Sequence, residues 1–329
     1  MACVTLVLGA GASRGVTYAH LGNFPSPLDK DFFDLLQRLQ PHEKDREAVQ
    51  FVLEEASRLP AEFRSSMERT FYTLHLRAYL RRKFLDTSDK SEEIKVVRCF
   101  EHAIEALLRA SHGKLKCDHH EKLVRCLKPS DAVISFNYDL VVERALRPVA
   151  EEKGIPFGGH IYGFDVGTSD GHRAPKILKL HGSSNWRLDE GGFSTGRSWK
   201  DFDRRPGYLR HTGTGTQFPI FLPFWDKNIE KGPWLDLWRM AYLQLRRSDV
   251  LLIWGYSLPP TDVKARELFA ISVRDSGRGV KLCVIDLASS TRQRWRDLYP
   301  RAQFWEYQNI SDFFSYPPSW WSSAPSALD

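Results

Sequence analysis

Val4-Thr5-Leu6-Val7-Leu8-Gly9-Ala10-Gly11-Ala12-Ser13-Arg14-Gly15 is a short apolar and β-branched run that ends in a glycine-rich loop. The run has no alternation of polar and apolar residues, so it predicts a strand buried on both faces, with a tight turn after it. In an open α/β sheet the turn after the first strand is where backbone N–H groups and a helix start hold a phosphate. Gly9 and Gly11 permit such a turn and let the main chain come close to a pyrophosphate. The spacing is G-x-G-x-x-x-G, a departure from the usual dinucleotide fingerprint. Read alone, the loop is also compatible with a tight turn that holds no ligand.

Further strand-like runs follow much later. They are Ala132–Phe136, Ile177–Leu180, Val250–Trp254, Val280–Ile285 and the weaker Gln303–Glu306. Helical patterns lie between them over Leu140–Val149, Trp234–Arg246 and Ala265–Val273. This alternation predicts an α/β fold, a Rossmann-like doubly wound parallel sheet. From Asp29 to Lys128 apolar residues recur at helical spacing, as in Phe32, Leu35, Leu36 and Leu39, and again in Ile104, Leu107 and Leu108. We read residues 1–329 as one domain, with the sheet core at about 1–28 and 129–315 and a mostly helical insertion at about 29–128. The Gly-rich and polar stretches Phe157–Arg173 and Asp189–Thr216 read as long loops.

Three more pieces leave predicted strands at their carboxyl ends, where open α/β sheets bind ligands. Ser135-Phe136-Asn137-Tyr138-Asp139 places an Asn and an Asp just past a strand, which also suits an Asx turn or helix cap. Lys179-Leu180-His181-Gly182-Ser183-Ser184-Asn185-Trp186 places an imidazole where it can act as a base or bond a ribose hydroxyl. A structural histidine is the plainer alternative. Trp254-Gly255-Tyr256-Ser257-Leu258-Pro259 is the last piece, and Asp286 ends the next strand. Gly255, Ser257 and Asp286 are candidates for an adenosine side. The pieces gain weight together because parallel strands bring them to one edge.

In these residues and in their order the chain resembles the sirtuin family. Gly9-Ala10-Gly11-Ala12-Ser13 looks like its opening loop, Asn137-Tyr138-Asp139 like its Asn-x-Asp, His181-Gly182 like its catalytic pair, and Gly255-Tyr256-Ser257-Leu258 like its Gly-Thr-Ser-Leu. The chain is more similar still to sirtuin-like NAD hydrolases of bacterial antiphage defence, through Lys179-Leu180-His181-Gly182-Ser183 and Leu222-Pro223-Phe224-Trp225-Asp226-Lys227. That resemblance implies NAD as substrate, bound by Gly9, Ala10, Gly11, Ser13, Asn137, Asp139, His181, Gly255, Ser257 and Asp286, with Asn137 and His181 catalytic. It implies cleavage of the nicotinamide–ribose bond to nicotinamide and ADP-ribose, in defence by NAD depletion. It also implies a partner such as a HerA-like ATPase or another defence sensor, and because unrestrained NAD hydrolysis would be toxic, restraint through assembly as a homo-oligomer is expected.

Departures from the family narrow the reading. Only Cys283 follows His181, so the four-cysteine zinc module of deacylating sirtuins is missing, and we expect no metal. Phe136 stands where the family has Gln before its Asn. A protein deacylase or ADP-ribosyltransferase, using the same NAD site, is the alternative. A non-catalytic subunit that binds NAD or ADP-ribose is another.

Composition sets wider bounds. A formal net charge of +6 over 329 residues is a mild bias. Arg81-Arg82-Lys83, Arg204-Arg205 and Arg246-Arg247 read as solvated faces, so no direct nucleic-acid binding is expected. Five cysteines form no disulfide framework, and no apolar run reaches the ~18 residues of a membrane span, which fits a cytoplasmic protein. Cys117, His119, His120 and Cys126 fit no common zinc spacing.

Overall fold

Six parallel strands carry the structure: β1 (Val4–Leu8), β2 (Ala132–Ser135), β3 (Lys176–Lys179), β6 (Val250–Trp254), β7 (Lys281–Ile285) and β8 (Gln303–Tyr307). They form one sheet in the order β3-β2-β1-β6-β7-β8. Counted without the separate hairpin β4 (Arg187–Asp189) and β5 (Gly192–Ser194), this is the doubly wound 3-2-1-4-5-6 order, whose switch point lies between β1 and β6. The computed structural model describes residues 2–14, 24–112, 117–164, 174–189, 192–195, 198–202 and 232–322. Gly15, Leu222–Lys227 and Arg204-Arg205 lie outside them.

The central strands are buried along nearly their whole length because helices cover both faces of a parallel sheet. Edge strand β8 buries no residue fully. Helices Val141–Glu152, Gly232–Arg247, Val263–Ser276 and Ser289–Leu298 connect the strands. The register decides where the loops emerge. Leu8 pairs with both Ser135 and Trp254, Ser135 with Lys179, and Trp254 with Ile285. The strands therefore end level, and Gly9, Phe136, Leu180, Gly255 and Asp286 leave one edge together. One further rung continues beyond the strands, with Phe136 N donating to Leu8 O at 2.9 Å and Gly255 N to Ile285 O at 3.0 Å.

The chain divides into two compact units. Of the described residues, 2–14, 117–164, 174–189, 192–195, 198–202 and 232–322 make the sheet unit, and 24–112 make a second unit. The helix Asp118–Arg125 thus belongs with the sheet. In the second unit the helices Glu43–Ser57, Met67–Phe84 and Ser91–His112 pack around Phe32, Phe71 and Phe100, with rings 5.3–6.4 Å apart. Buried Asp45 accepts from Arg109 at 2.5 Å, so its charge is paired.

The hairpin replaces the start of the loop expected over Asp189–Thr216, and residues 203–216 of that stretch lie outside the described residues. Its strands are three residues each, too short for a period-two signal. Phe193 is packed by Trp186 at 4.9 Å and Trp234 at 4.7 Å between ring centroids. Among the described residues no helix is long and apolar enough to cross a membrane.

Candidate active site

At the carboxyl edge of β1 and β2 three side chains form one hydrogen-bonded chain. Asn137 Nδ2 donates to Gly9 O at 2.9 Å and to Ser13 Oγ at 3.1 Å, and Ser13 Oγ donates to Asp139 Oδ2 at 2.7 Å. A carbonyl oxygen can only accept, so Gly9 O fixes which end of the Asn137 amide faces it. The amide oxygen Oδ1 then points away. It is buried and has no protein partner among the described residues. Asn137 itself is 7% exposed.

The other expected roles change in detail. Ser13 is fully buried and gives its one proton to Asp139, so it links Asn137 to Asp139 and has no proton left for a phosphate. Asp139 also accepts from Val141 N at 3.0 Å, at the start of the following helix. The N–H groups of Gly9, Gly11 and Ala12 are engaged by Trp254 O, Gly255 O and Gly9 O at 2.9–3.1 Å. Ala10 is the exposed residue of this turn.

The glycines serve backbone packing. A Cβ on Gly9 would sit 2.4 Å from Gly255 O, and one on Gly255 would sit 2.1 Å from Ala12 N. Gly255 also holds φ +65°, which disfavours any side chain. The two halves of the sheet thus meet main chain to main chain at the switch point. In the same loop Leu258 is a buried non-glycine residue at φ 49°.

His181 leaves β3 beside this group. Its ring meets the Phe136 ring edge-on at 5.0 Å and lies 6.3 Å from that of Tyr138, the two neighbours of Asn137. Ser184 N donates to Tyr138 O at 2.9 Å and ties the two loops. His181 Nε2 lies 2.8 Å from Asp262 Oδ2, and the Tyr256 hydroxyl donates to the same oxygen at 2.9 Å. No sequence pattern singles out Asp262. It precedes the helix Val263–Ser276, where an Asp ordinarily reads as a cap, yet its side chain makes no capping bond. Phe136 stacks on Tyr256 at 3.9 Å with the rings 3° from parallel, so its ring has a packing role here.

Below the loops lies a buried ionic group. Lys179 Nζ pairs with Glu143 Oε1 at 3.0 Å and donates to Asp139 O. Tyr162 OH donates to Glu143 at 3.1 Å and accepts from Asn185 Nδ2 at 2.9 Å. Burial, then the Glu143 charge, pushes the Tyr162 hydroxyl well above its ordinary range and keeps it a neutral donor. A lysine inside an apolar strand was the available signal for this group.

Ser257 and Asp286 lie on the other half of the edge. Ser257 is exposed, and its carbonyl accepts from Arg294 Nε at 2.9 Å. Asp286 accepts from Ala288 N at 2.8 Å, and burial raises its carboxyl pKa from 3.8. A raised carboxyl makes the folded state less stable above that pKa and leaves it unaffected below the unfolded value. Asp286→Asn, which keeps the acceptor for Ala288, is expected to raise thermal stability at neutral pH. The gain should fade as pH falls toward 3.8. Equal melting shifts at both pH values would contradict this.

Cys117 lies just before the helix Asp118–Arg125, which carries His119 and His120 and turns them apart. His120 is buried 4.4 Å from the Trp254 ring, and His119 lies 5.8 Å from that of Phe314. Among the described residues no group of three or more His, Cys, Asp or Glu side chains is placed to hold a metal ion.

No family model matches the chain, and no curated protein sequence does. Solved structures do. A Sir2–p53 peptide–NAD+ complex is 16% identical, with 94% of this chain and 90% of that chain covered at a TM-score of 0.41. A Sir2 homolog–NAD complex is also 16% identical, with 94% and 85% covered at a TM-score of 0.39. A Sir2 bound to acetylated peptide is 14% identical, with 94% and 90% covered at a TM-score of 0.40.

Proposed function

We propose that this chain is a sirtuin-like NAD hydrolase. NAD lies across the carboxyl edge at the switch point, with its nicotinamide ribose against Asn137 and His181 and its adenosine toward Gly255, Ser257 and Asp286. The observation that carries the reading is the Asn137 amide. Its donor is engaged by Gly9 O and Ser13 Oγ, while its buried Oδ1 has no protein partner among the described residues. A buried acceptor left unsatisfied costs about 1–3 kcal/mol, so a hydroxyl donor from water or ribose is stabilised there.

Nicotinamide leaves the ribose as a neutral ring and needs no strong acid. What the protein must supply is a placed nucleophile and a proton acceptor beside an oxocarbenium-like centre. Asn137 Oδ1 accepts from the attacking water and orients it toward C1′. His181 takes the proton that the water loses as its oxygen bonds to C1′ and the N-glycosidic bond breaks. Asp139, held by Ser13, faces the carboxamide of nicotinamide. Ala10 and Gly11 give the pyrophosphate a turn free of bulky side chains. The products are nicotinamide, ADP-ribose and one proton.

By the resemblance, the setting is antiphage defence by NAD depletion, in an oligomer working with an ATPase or another sensor. Purified protein, alone or assembled with its partner, is expected to convert NAD to equal amounts of nicotinamide and ADP-ribose, measured by chromatography. Release that requires an acylated peptide or an acceptor protein would assign the alternative transferase chemistry. NAD left intact in both states would exclude hydrolysis.

A further inference from the structure

We infer that Asp262 is the positioning residue for His181. This inference rests on the reading of His181 as the group that takes the proton. Asp262 stands at the end of the β6 loop, on the opposite side of the switch point from His181, and its Oδ2 reaches His181 Nε2 at 2.8 Å. A carboxylate oxygen accepts, so Nε2 carries the hydrogen and Nδ1 is the basic nitrogen of the neutral ring. The carboxylate also stabilises the imidazolium that forms when Nδ1 takes a proton, as the third member of a nucleophile–base–carboxylate set does.

Five features set this pair apart from an incidental surface contact. Both side chains are buried, at 5% and 0% exposure. The carboxylate is itself held, because Tyr256 OH donates to the same oxygen at 2.9 Å. Phe136, stacked on Tyr256 and edge-on to His181, fills the space beside both rings. Asp262 also forgoes the capping bond that its place before a helix offers. The strained backbone at Leu258, φ 49°, lies in the loop that delivers it.

Two readouts test the assignment. The first needs no substrate. Nitrogen-15 NMR of labelled histidines at mildly alkaline pH is expected to show the His181 ring protonated on Nε2, its resonances identified by their loss in His181→Ala. Asp262→Asn should shift that ring toward the Nδ1–H form, since the new amide can donate to Nε2, whereas Asp262→Glu should keep Nε2–H. The second readout is nicotinamide release. Asp262→Asn is expected to lower kcat by at least about 100-fold with KM within about threefold, and Asp262→Glu to regain at least about tenfold over it.

An unchanged His181 resonance in Asp262→Asn would overturn the assignment, as would an unchanged kcat or a loss carried by KM and melting temperature. If Asp262→Asn does not fold, Tyr256→Phe carries the test, with kcat reduced several-fold at constant KM. No change there in either kcat or the ring resonances would overturn it equally. Wild-type protein that releases no nicotinamide would remove the proposed reaction, while the NMR readout still decides whether Asp262 holds the ring.

Discussion

Asn137→Ala is expected to lower nicotinamide release by about 100-fold to 10,000-fold while NAD still binds within about tenfold of its original affinity. The size follows from the role. Removing a group that places the nucleophile costs catalysis on this scale, whereas the proposed pyrophosphate and adenosine contacts lie elsewhere along the edge and would be kept. The variant also withdraws the donor from Gly9 O and Ser13 Oγ. Each lost bond of this kind costs about 1 kcal/mol, so a modest fall in melting temperature should accompany the loss. Turnover measured under saturating NAD, beside NAD binding by calorimetry, separates the two effects. Near-normal kcat in a folded Asn137→Ala protein would remove Asn137 from the reaction.

Gly255→Ala is expected to destabilise the sheet unit by about 2–5 kcal/mol. An L-residue at φ +65° costs about 1–2 kcal/mol, and overpacking a rigid contact costs about 1–3 kcal/mol more. The added Cβ would meet Ala12 N at 2.1 Å and the Gly11 carbonyl carbon at 2.4 Å. Backbone atoms cannot swing aside like a side chain, so the β1 turn must move, and Asn137 loses its fixed acceptor at Gly9. Thermal melting reads the first effect and NAD affinity the second. Gly154→Ala is the control, since it has a similar φ of +62° and no neighbouring atom within 4 Å. Equal losses in the two variants would show that backbone conformation alone matters and that the tight approach at Gly255 does not.

The fold was legible because buried parallel strands write themselves as short apolar runs. Val250–Trp254 is such a run from end to end, and the structure begins and ends that strand where the sequence does. The hairpin was not legible, because Trp186, Phe193 and Trp234 hold it from positions scattered along the chain. The glycine loop was read for its phosphate chemistry. The structure shows a second reason for the same residues, contact with Gly255 more than two hundred positions away, and no local pattern carries that. The grouping of Asn137, Asp139 and Ser13 was foreseen as convergence on one edge. Their mutual hydrogen bonds depend on side-chain direction and were not foreseen. Asp262 escaped notice for a related reason. An Asp before a helix has a sufficient local explanation, and only the fold reveals that its carboxylate turns toward His181 instead.

The central claim is that Asn137 Oδ1 receives a hydroxyl of the nicotinamide-side ribose or the water that attacks it. A crystal structure of the wild-type protein soaked with ADP-ribose tests this most directly. The account predicts that the terminal ribose lies within hydrogen-bond reach of Asn137 and His181, with the adenosine toward Ser257 and Asp286. ADP-ribose bound away from that edge, or with its adenine at Asn137, would contradict it.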